Sequence, residues 1–170
     1  MGSEPIDALL DREARRLVAA LAARSATLST AESLTAGMVS STVAGVPGAS
    51  AVLRGGAVTY VNEVKERVLG VSARSIAEHT EVSHEVAREM AAGSRRLFGS
   101  DVAVSLTGYA GPGGGTEENP VGTVYIGVAS AAGTESFRRT FAGDRARVRA
   151  EATLAALGLA LARVDSMEIG

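Results

Sequence analysis

Apolar residues recur at three- and four-residue spacing through the first stretch of the chain. Leu9, Leu10, Leu17, Val18 and Leu21 alternate with charged positions, which predicts a helix over Pro5 to Ala23. The period then shortens. "SATLSTA" alternates small polar and apolar residues and reads as a short strand, and "LTAGMVSSTVAGVPG" reads as a helix closed by the breaker Gly45-Val46-Pro47-Gly48. "GGAVTYV" is a second strand. Asn62 is placed as the cap of a short helix carrying Val64, Val68 and Leu69 and stopped by Gly70. "SARSIAEHT" adds a helical turn or two, and Ser83 caps a longer helix that ends at Gly99. "DVAVSLTG" is a third strand, apolar enough to be buried on both faces. After the loop "YAGPGGGTEENPVG", the strands "TVYIGVAS" and "ESFRRTFAG" flank the short turn 131–134 and form an antiparallel hairpin. Asp144 caps a final alanine- and leucine-rich helix running to about Val164.

Strands separated by helices need crossover connections, so the first three strands are expected to run parallel. With the hairpin added, the expected fold class is α/β: a three-layer α/β/α sandwich on a mixed sheet. No internal repeat or linker divides the 170 residues, and one domain is expected over 1–170.

Composition narrows the function classes. The chain is 46% hydrophobic and 21% charged, so it can bury a core. With 17 basic and 19 acidic residues and no basic run beyond Arg-Arg pairs, nucleic acid is not an expected partner. There is no cysteine, which removes a thiol nucleophile and disulfides and suits a reducing compartment. "MGSEPIDALLDREARR" is acidic where a signal peptide would be basic, and has Ile6 where a myristoylation signal needs Ser or Thr. No stretch is long and apolar enough to span a membrane. The expected setting is the cytoplasm. The two histidines, His79 and His84, are five apart rather than the four of a helical metal pair, and no metal site is expected.

In open α/β sheets, ligands bind beyond the carboxyl ends of the parallel strands. Those ends bring Ser33 and Thr35, then Tyr60 and Lys65, then Thr107 and Gly108, to one edge. By position Ser33 reads first as a helix cap, with a nucleophile as the lesser alternative, and Thr35 is a second candidate cap. Neighbouring backbone amides suit an oxyanion. The glycine elbow of the α/β hydrolases is absent, since Ala31 and Thr35 stand where its glycines would be. Lys65 is either a solvated surface lysine or one whose pKa burial and the helix dipole lower until it can act as a base. Tyr60 is a core-edge aromatic or a group that orients Lys65 or a substrate. "GPGGG", which contains Gly111, Gly113 and Gly114, is a flexible turn or a place where backbone approaches an anion, and it is not a P-loop. Arg145 at the start of the last helix is a surface arginine or a phosphate ligand.

Five segments taken together, "TAESLTAG", "GGAVTYVNEVKERVLGV", "VSHEVAREMAAG", "SLTGYAGPGGGTEENPVGTVYIG" and "FAGDRARVR", resemble the C-terminal domain of the competence-damage-inducible protein CinA in order and spacing. That family includes the stand-alone nicotinamide mononucleotide deamidases. The resemblance runs from about Ala26 to the final helix, and no molybdopterin-binding-like N-terminal domain is expected. It implies an amidohydrolase that converts nicotinamide mononucleotide to nicotinic acid mononucleotide and ammonia, without metal or other cofactor, within pyridine nucleotide recycling. By the resemblance, Ser33 is the nucleophile, Lys65 its base and Tyr60 the residue that orients Lys65. Thr35, Thr107, Gly108, Gly111, Gly113, Gly114 and Arg145 would bind substrate. The chain departs from the family pattern at Ala36, often glycine; at Asn119, often lysine; and at "TEVS", Thr80 to Ser83, where relatives carry "GAVS" and a surface change is expected. The alternatives are a non-catalytic nucleotide-binding or competence-associated assembly module, and an amidase for a related amide. A homo-oligomer is expected, with the alanine-rich last helix read either as its interface or as close internal packing.

Overall fold

The computed structural model describes residues 4–167, with five strands and six α-helices in the predicted order. The opening residues of the N-terminal reading, 1–3, lie outside the described residues. Helix α1 (Ile6–Ala23) leads into β1 (Leu28–Glu32), α2 (Met38–Ala44), a 3-10 turn (Ala49–Ala51) and β2 (Leu53–Val58). Then come α3 (Asn62–Leu69), α4 (Ala73–His79), α5 (His84–Phe98), β3 (Val102–Gly108), β4 (Thr123–Ser130), β5 (Gly133–Thr140) and α6 (Arg145–Asp165).

The strands form one sheet in the order β2-β1-β3-β4-β5. β1 pairs parallel with β2 and with β3, and β4 and β5 complete the sheet antiparallel, as the connections predicted. Helices α1, α2 and α6 cover one face, and α3, α4 and α5 lie on the other.

Side-chain alternation along the strands makes the two faces unlike. Leu28, Val102, Val104, Leu106, Val124, Ile126 and Val128 point at α1, α2 and α6 and form the main core with Leu17, Leu21, Leu157 and Leu161. Full burial of such side chains contributes about 1.5–3 kcal/mol each. The opposite face carries the small residues Ser29, Ala31, Ala103, Ser105, Gly127 and Ala129, and α5 packs closely there. Ser105 Oγ donates to the Ala87 carbonyl at 2.6 Å. A Cβ on Gly127 would sit 2.2 Å from that same oxygen, so only glycine permits this approach.

Caps fall where short polar residues precede apolar runs. Ser72, Ser83 and Asp144 each accept a bond from an amide in the first turn of α4, α5 and α6, worth about 1 kcal/mol apiece. Two predicted caps are corrected. Asn62 is the first residue of α3, Val61 holds the cap position, and no side chain caps that helix. Helix α2 begins at Met38 and not at Ser33. β2 also lies earlier than predicted and ends before Tyr60.

The alanines of α6 resolve one open alternative. Ala152, Ala156 and Ala160 are fully buried within the single chain, against α1 and the sheet, so they serve close internal packing. No helix among the described residues is long and apolar enough to cross a membrane.

Candidate active site

The end of β1 divides two neighbouring side chains between the two faces of the sheet. Glu32 points towards α2 and is 1% exposed. Its carboxylate accepts the amides of Gly37, Val39 and Ser40 at 3.0, 3.1 and 3.0 Å, and so caps α2. The amide of Ser33 donates to the Leu106 carbonyl at 3.0 Å, which prolongs the β1–β3 pairing by one residue. Alternation then turns the Ser33 side chain to the opposite face, towards α3. Because Glu32 caps the helix, the Ser33 hydroxyl is released from that task.

Lys65 meets it there. Lys65 is the largest fully buried side chain, 1% exposed on the first turn of α3. Its Nζ stands 3.4 Å from Ser33 Oγ and donates to the Tyr60 carbonyl at 3.3 Å. Among the described residues, Lys65 is the only hydrogen-bond partner of the Ser33 hydroxyl, and no carboxylate forms a salt bridge with Lys65. Burial therefore lowers the Lys65 pKa from the ordinary lysine value, and the charge of Glu81 pulls it back up. A serine facing a buried lysine is an arrangement that nucleophile–base chemistry can use.

The pair opens into a cleft of about 200 Å³. Leu34, Tyr60, Glu81, Val82, Thr107, Gly108, Tyr109, Ala110, Gly111, Gly113 and Arg145 complete its lining. The turn after β1 contains Ala36 at φ +50° and Gly37 at φ +96°, and among the described residues the Leu34 and Thr35 amides have no acceptor. Such amides beside a nucleophile suit a developing oxyanion.

Thr107 is 1% exposed, and its hydroxyl donates to the Glu81 carbonyl at 2.6 Å, tying β3 to the turn before α5. Arg145 spans the mouth of the cleft. One of its nitrogens donates to the Tyr60 hydroxyl at 2.8 Å and another to the Gly111 carbonyl at 3.0 Å. Gly111 has φ +82°, and a Cβ there would fall 2.6 Å from Val121 Cγ1. The first turn of α6 opens at the same mouth.

The structure thus brings Ser33, Tyr60, Lys65, Thr107, Gly108, Gly111, Gly113 and Arg145 together. It does not bring Thr35 or Gly114 into that lining. The Thr35 hydroxyl is buried without a partner beside a separate surface hollow with Ala36 and Arg149, and Gly114 packs on the Tyr109 ring. Tyr60 touches Lys65 through its backbone carbonyl, while its half-exposed ring and hydroxyl belong to Arg145. Asn119 lines a neighbouring hollow and accepts from the Tyr125 hydroxyl at 2.9 Å.

Sequence reasoning passed over Glu32, Glu81 and Arg149. Arg149 on α6 donates to the Leu34 and Thr35 carbonyls at 2.9 and 3.0 Å, fixing the turn that follows Ser33. The alternation of "STAES" was a signal that Glu32 and Ser33 face opposite ways. Nothing local in the sequence marks the reach of Arg149 across the fold.

Known proteins share the sequence pattern and the fold. A family model described as the CinA C-terminal domain matches residues 10–164. A CinA-like protein of Anaeromyxobacter sp. (strain K) is 52% identical over 143 residues, covering 84% of this chain and 35% of its own length. A putative competence-damage inducible protein of Caldicellulosiruptor saccharolyticus is 48% identical over 130 residues, 76% of this chain and 32% of its own. This chain spans about a third of the length of the curated relatives it matches. Among solved structures, the competence damage-inducible protein A of Klebsiella pneumoniae superposes with a TM-score of 0.90 at 34% identity, over 94% of this chain and 99% of that one. The competence/damage inducible protein CihA of Agrobacterium tumefaciens gives 0.89 at 32% identity, over 98% and 100%.

Proposed function

The chain belongs to the CinA C-terminal domain family, and from that premise we propose that it is a nicotinamide-nucleotide amidase, hydrolysing nicotinamide mononucleotide to nicotinic acid mononucleotide and ammonia. The observation that carries this reading is the Ser33 hydroxyl 3.4 Å from a lysine that is 1% exposed and, among the described residues, has no salt bridge. Such a lysine is biased towards its neutral form, and a neutral amine can take a proton.

In the proposed reaction, Ser33 Oγ attacks the carboxamide carbon as its proton passes to Lys65 Nζ. The carbonyl oxygen takes up the negative charge against the Leu34 and Thr35 amides. Collapse of the tetrahedral adduct breaks the C–N bond, and Lys65 returns its proton to the departing ammonia. Water then attacks the Ser33 ester and gives a proton to Lys65. Collapse of the second adduct frees the carboxylic acid, Ser33 recovers its proton from Lys65, and the acid loses its own proton to solvent. In this reading Arg145 and the opening turn of α6 would receive the phosphate, supported by Arg145 and the backbone of Gly108, Gly111 and Gly113 lining the same cleft. No step asks for a metal or organic cofactor.

The experiment is an ammonia-release assay with nicotinamide, its riboside and its mononucleotide. Release from the mononucleotide with marked preference over the other two supports the reading. Tight mononucleotide binding with no ammonia from any of the three means a nucleotide-binding module instead. A cytoplasmic setting goes with this substrate. A homo-oligomer belongs to the same proposal, supported by the exposed Val58, Tyr60 and Val61 at the β2 edge of the sheet. Sedimentation at a multiple of 17.2 kDa is expected, and a monomer mass would overturn it.

A further inference from the structure

The cleft around Ser33 holds one carboxylate, and the proposed reaction gives it no task. Glu81 lies in the turn between α4 and α5 and lines the cleft beside Lys65 and Tyr109. The turn is firmly held. Thr107 Oγ1 donates to the Glu81 carbonyl at 2.6 Å, and Ser83 Oγ donates to the Thr80 carbonyl at 3.0 Å. Val82, the next residue, is 2% exposed.

The carboxylate itself is uncommitted. Neighbouring acids are paired: Glu78 with Arg74 and Glu85 with Arg88. Among the described residues, Glu81 has no cation within salt-bridge distance and no hydrogen-bond donor on its carboxylate. Its charge is felt inside the cleft. Burial lowers the pKa of Lys65 and Glu81 opposes it; burial raises the pKa of Tyr109 and Glu81 adds to it.

An unpaired carboxylate beside the nucleophile repels any ligand that carries negative charge there, and favours one that carries positive charge. Arg145 places the opposite charge at the mouth. The cleft is therefore dipolar, negative at the α4–α5 turn beside Lys65 and Tyr109 and positive at its rim. We propose that Glu81 is a specificity residue facing the fixed positive charge of an N1-quaternised pyridine-3-carboxamide, so that the site selects the cationic ring over neutral rings of the same shape. This rests on the amidase reading of the same site. The product keeps the ring charge and gains a carboxylate at the carbon that Ser33 attacked, so the same Glu81 that favours substrate disfavours product.

The test uses the intact chain, Glu81→Gln, and two probes: nicotinamide mononucleotide and its reduced 1,4-dihydro form, which has the same outline and no ring charge. Ammonia release is followed for both, and binding is titrated calorimetrically in Ser33→Ala and in Ser33→Ala/Glu81→Gln. The wild type is expected to prefer the oxidised nucleotide. Glu81→Gln should forfeit about tenfold of that preference, in KM rather than kcat, as a partly solvated charge pair would. Equal losses for both probes would mean a structural role and overturn the proposal. Should the wild type release no ammonia from either nucleotide, the amidase reading fails and the binding arm still decides. A preference for the oxidised form that collapses in the double variant supports the role of Glu81. Equal binding of the two forms by the Ser33→Ala protein, or no binding of the oxidised one, overturns it.

Discussion

At the residue scale, one lysine carries conflicting demands. Lys65 is buried with two long polar contacts and no counter-ion at salt-bridge distance. Its charged form is disfavoured in the folded state, so the folded pKa lies below the unfolded one. The folded protein then binds fewer protons than the unfolded chain between those two values, and this group makes stability rise with pH across that window. Below the folded pKa the burial cost is present in full. Lys65→Met, similar in length and apolar, is expected to raise unfolding stability at neutral pH by about 1 kcal/mol in denaturant titrations. The same variant should lose nearly all ammonia release. Wild-type activity should climb with pH as Lys65 deprotonates, with a midpoint below that of an ordinary lysine. Removing the Glu81 charge should move that limb to still lower pH, since Glu81 is what raises the Lys65 pKa. A limb that stays in place in Glu81→Gln would contradict this. The pairing of Ser33 with Lys65 was legible in the sequence from their place on one sheet edge and from the family resemblance, which made them nucleophile and base. The link between Tyr60 and Arg145 was not, because it joins residues 85 apart through a contact that only the closed fold creates.

At the scale of elements, the order of helices and strands was readable because hydrophobic period and cap residues agree along most of the chain. They disagree after β1. The capping rule points to Ser33, yet a buried Glu32 does the work from the strand itself, because α2 starts five residues later at Met38. Glu32→Gln replaces one acceptor oxygen by a donor facing amides. It should cost about 2 kcal/mol in thermal or denaturant unfolding, and it should lower activity by loosening the turn that carries Leu34 and Thr35. In the turn before α5, Thr80 lies on the surface as expected, but its backbone carries strain. Thr80 has φ 66° and ψ 166°, a region that β-branched residues avoid and glycine tolerates. Its hydroxyl gives back only two long contacts with Val82, at 3.3 and 3.4 Å. Thr80→Gly is therefore expected to gain about 1 kcal/mol of stability. A loss in unfolding measurements would mean that those contacts outweigh the strain.

At the scale of the molecule, the division of labour between the two sheet faces explains where chemistry can sit. The large apolar side chains of β1, β3 and β4 join α1, α2 and α6 in the main core. The small-residue face lets α5 close on the sheet and leaves a cleft at the strand ends, where α3 delivers Lys65 and the β1 turn delivers Ser33. The antiparallel hairpin and α6 then bring Arg145 over that cleft from the far end of the sequence. The structure agrees closely with CinA-family proteins across nearly the whole chain, so the sheet and helices that carry this cleft belong to a fold that they share. The central claim is that Ser33 becomes acylated during amide hydrolysis. Rapid mixing with nicotinamide mononucleotide, acid quenching and mass analysis of the digested protein tests it most directly. The expected result is a transient nicotinoyl-nucleotide ester on the peptide containing Ser33, absent in Ser33→Ala together with ammonia release. Ammonia formed at the wild-type rate by Ser33→Ala would contradict it.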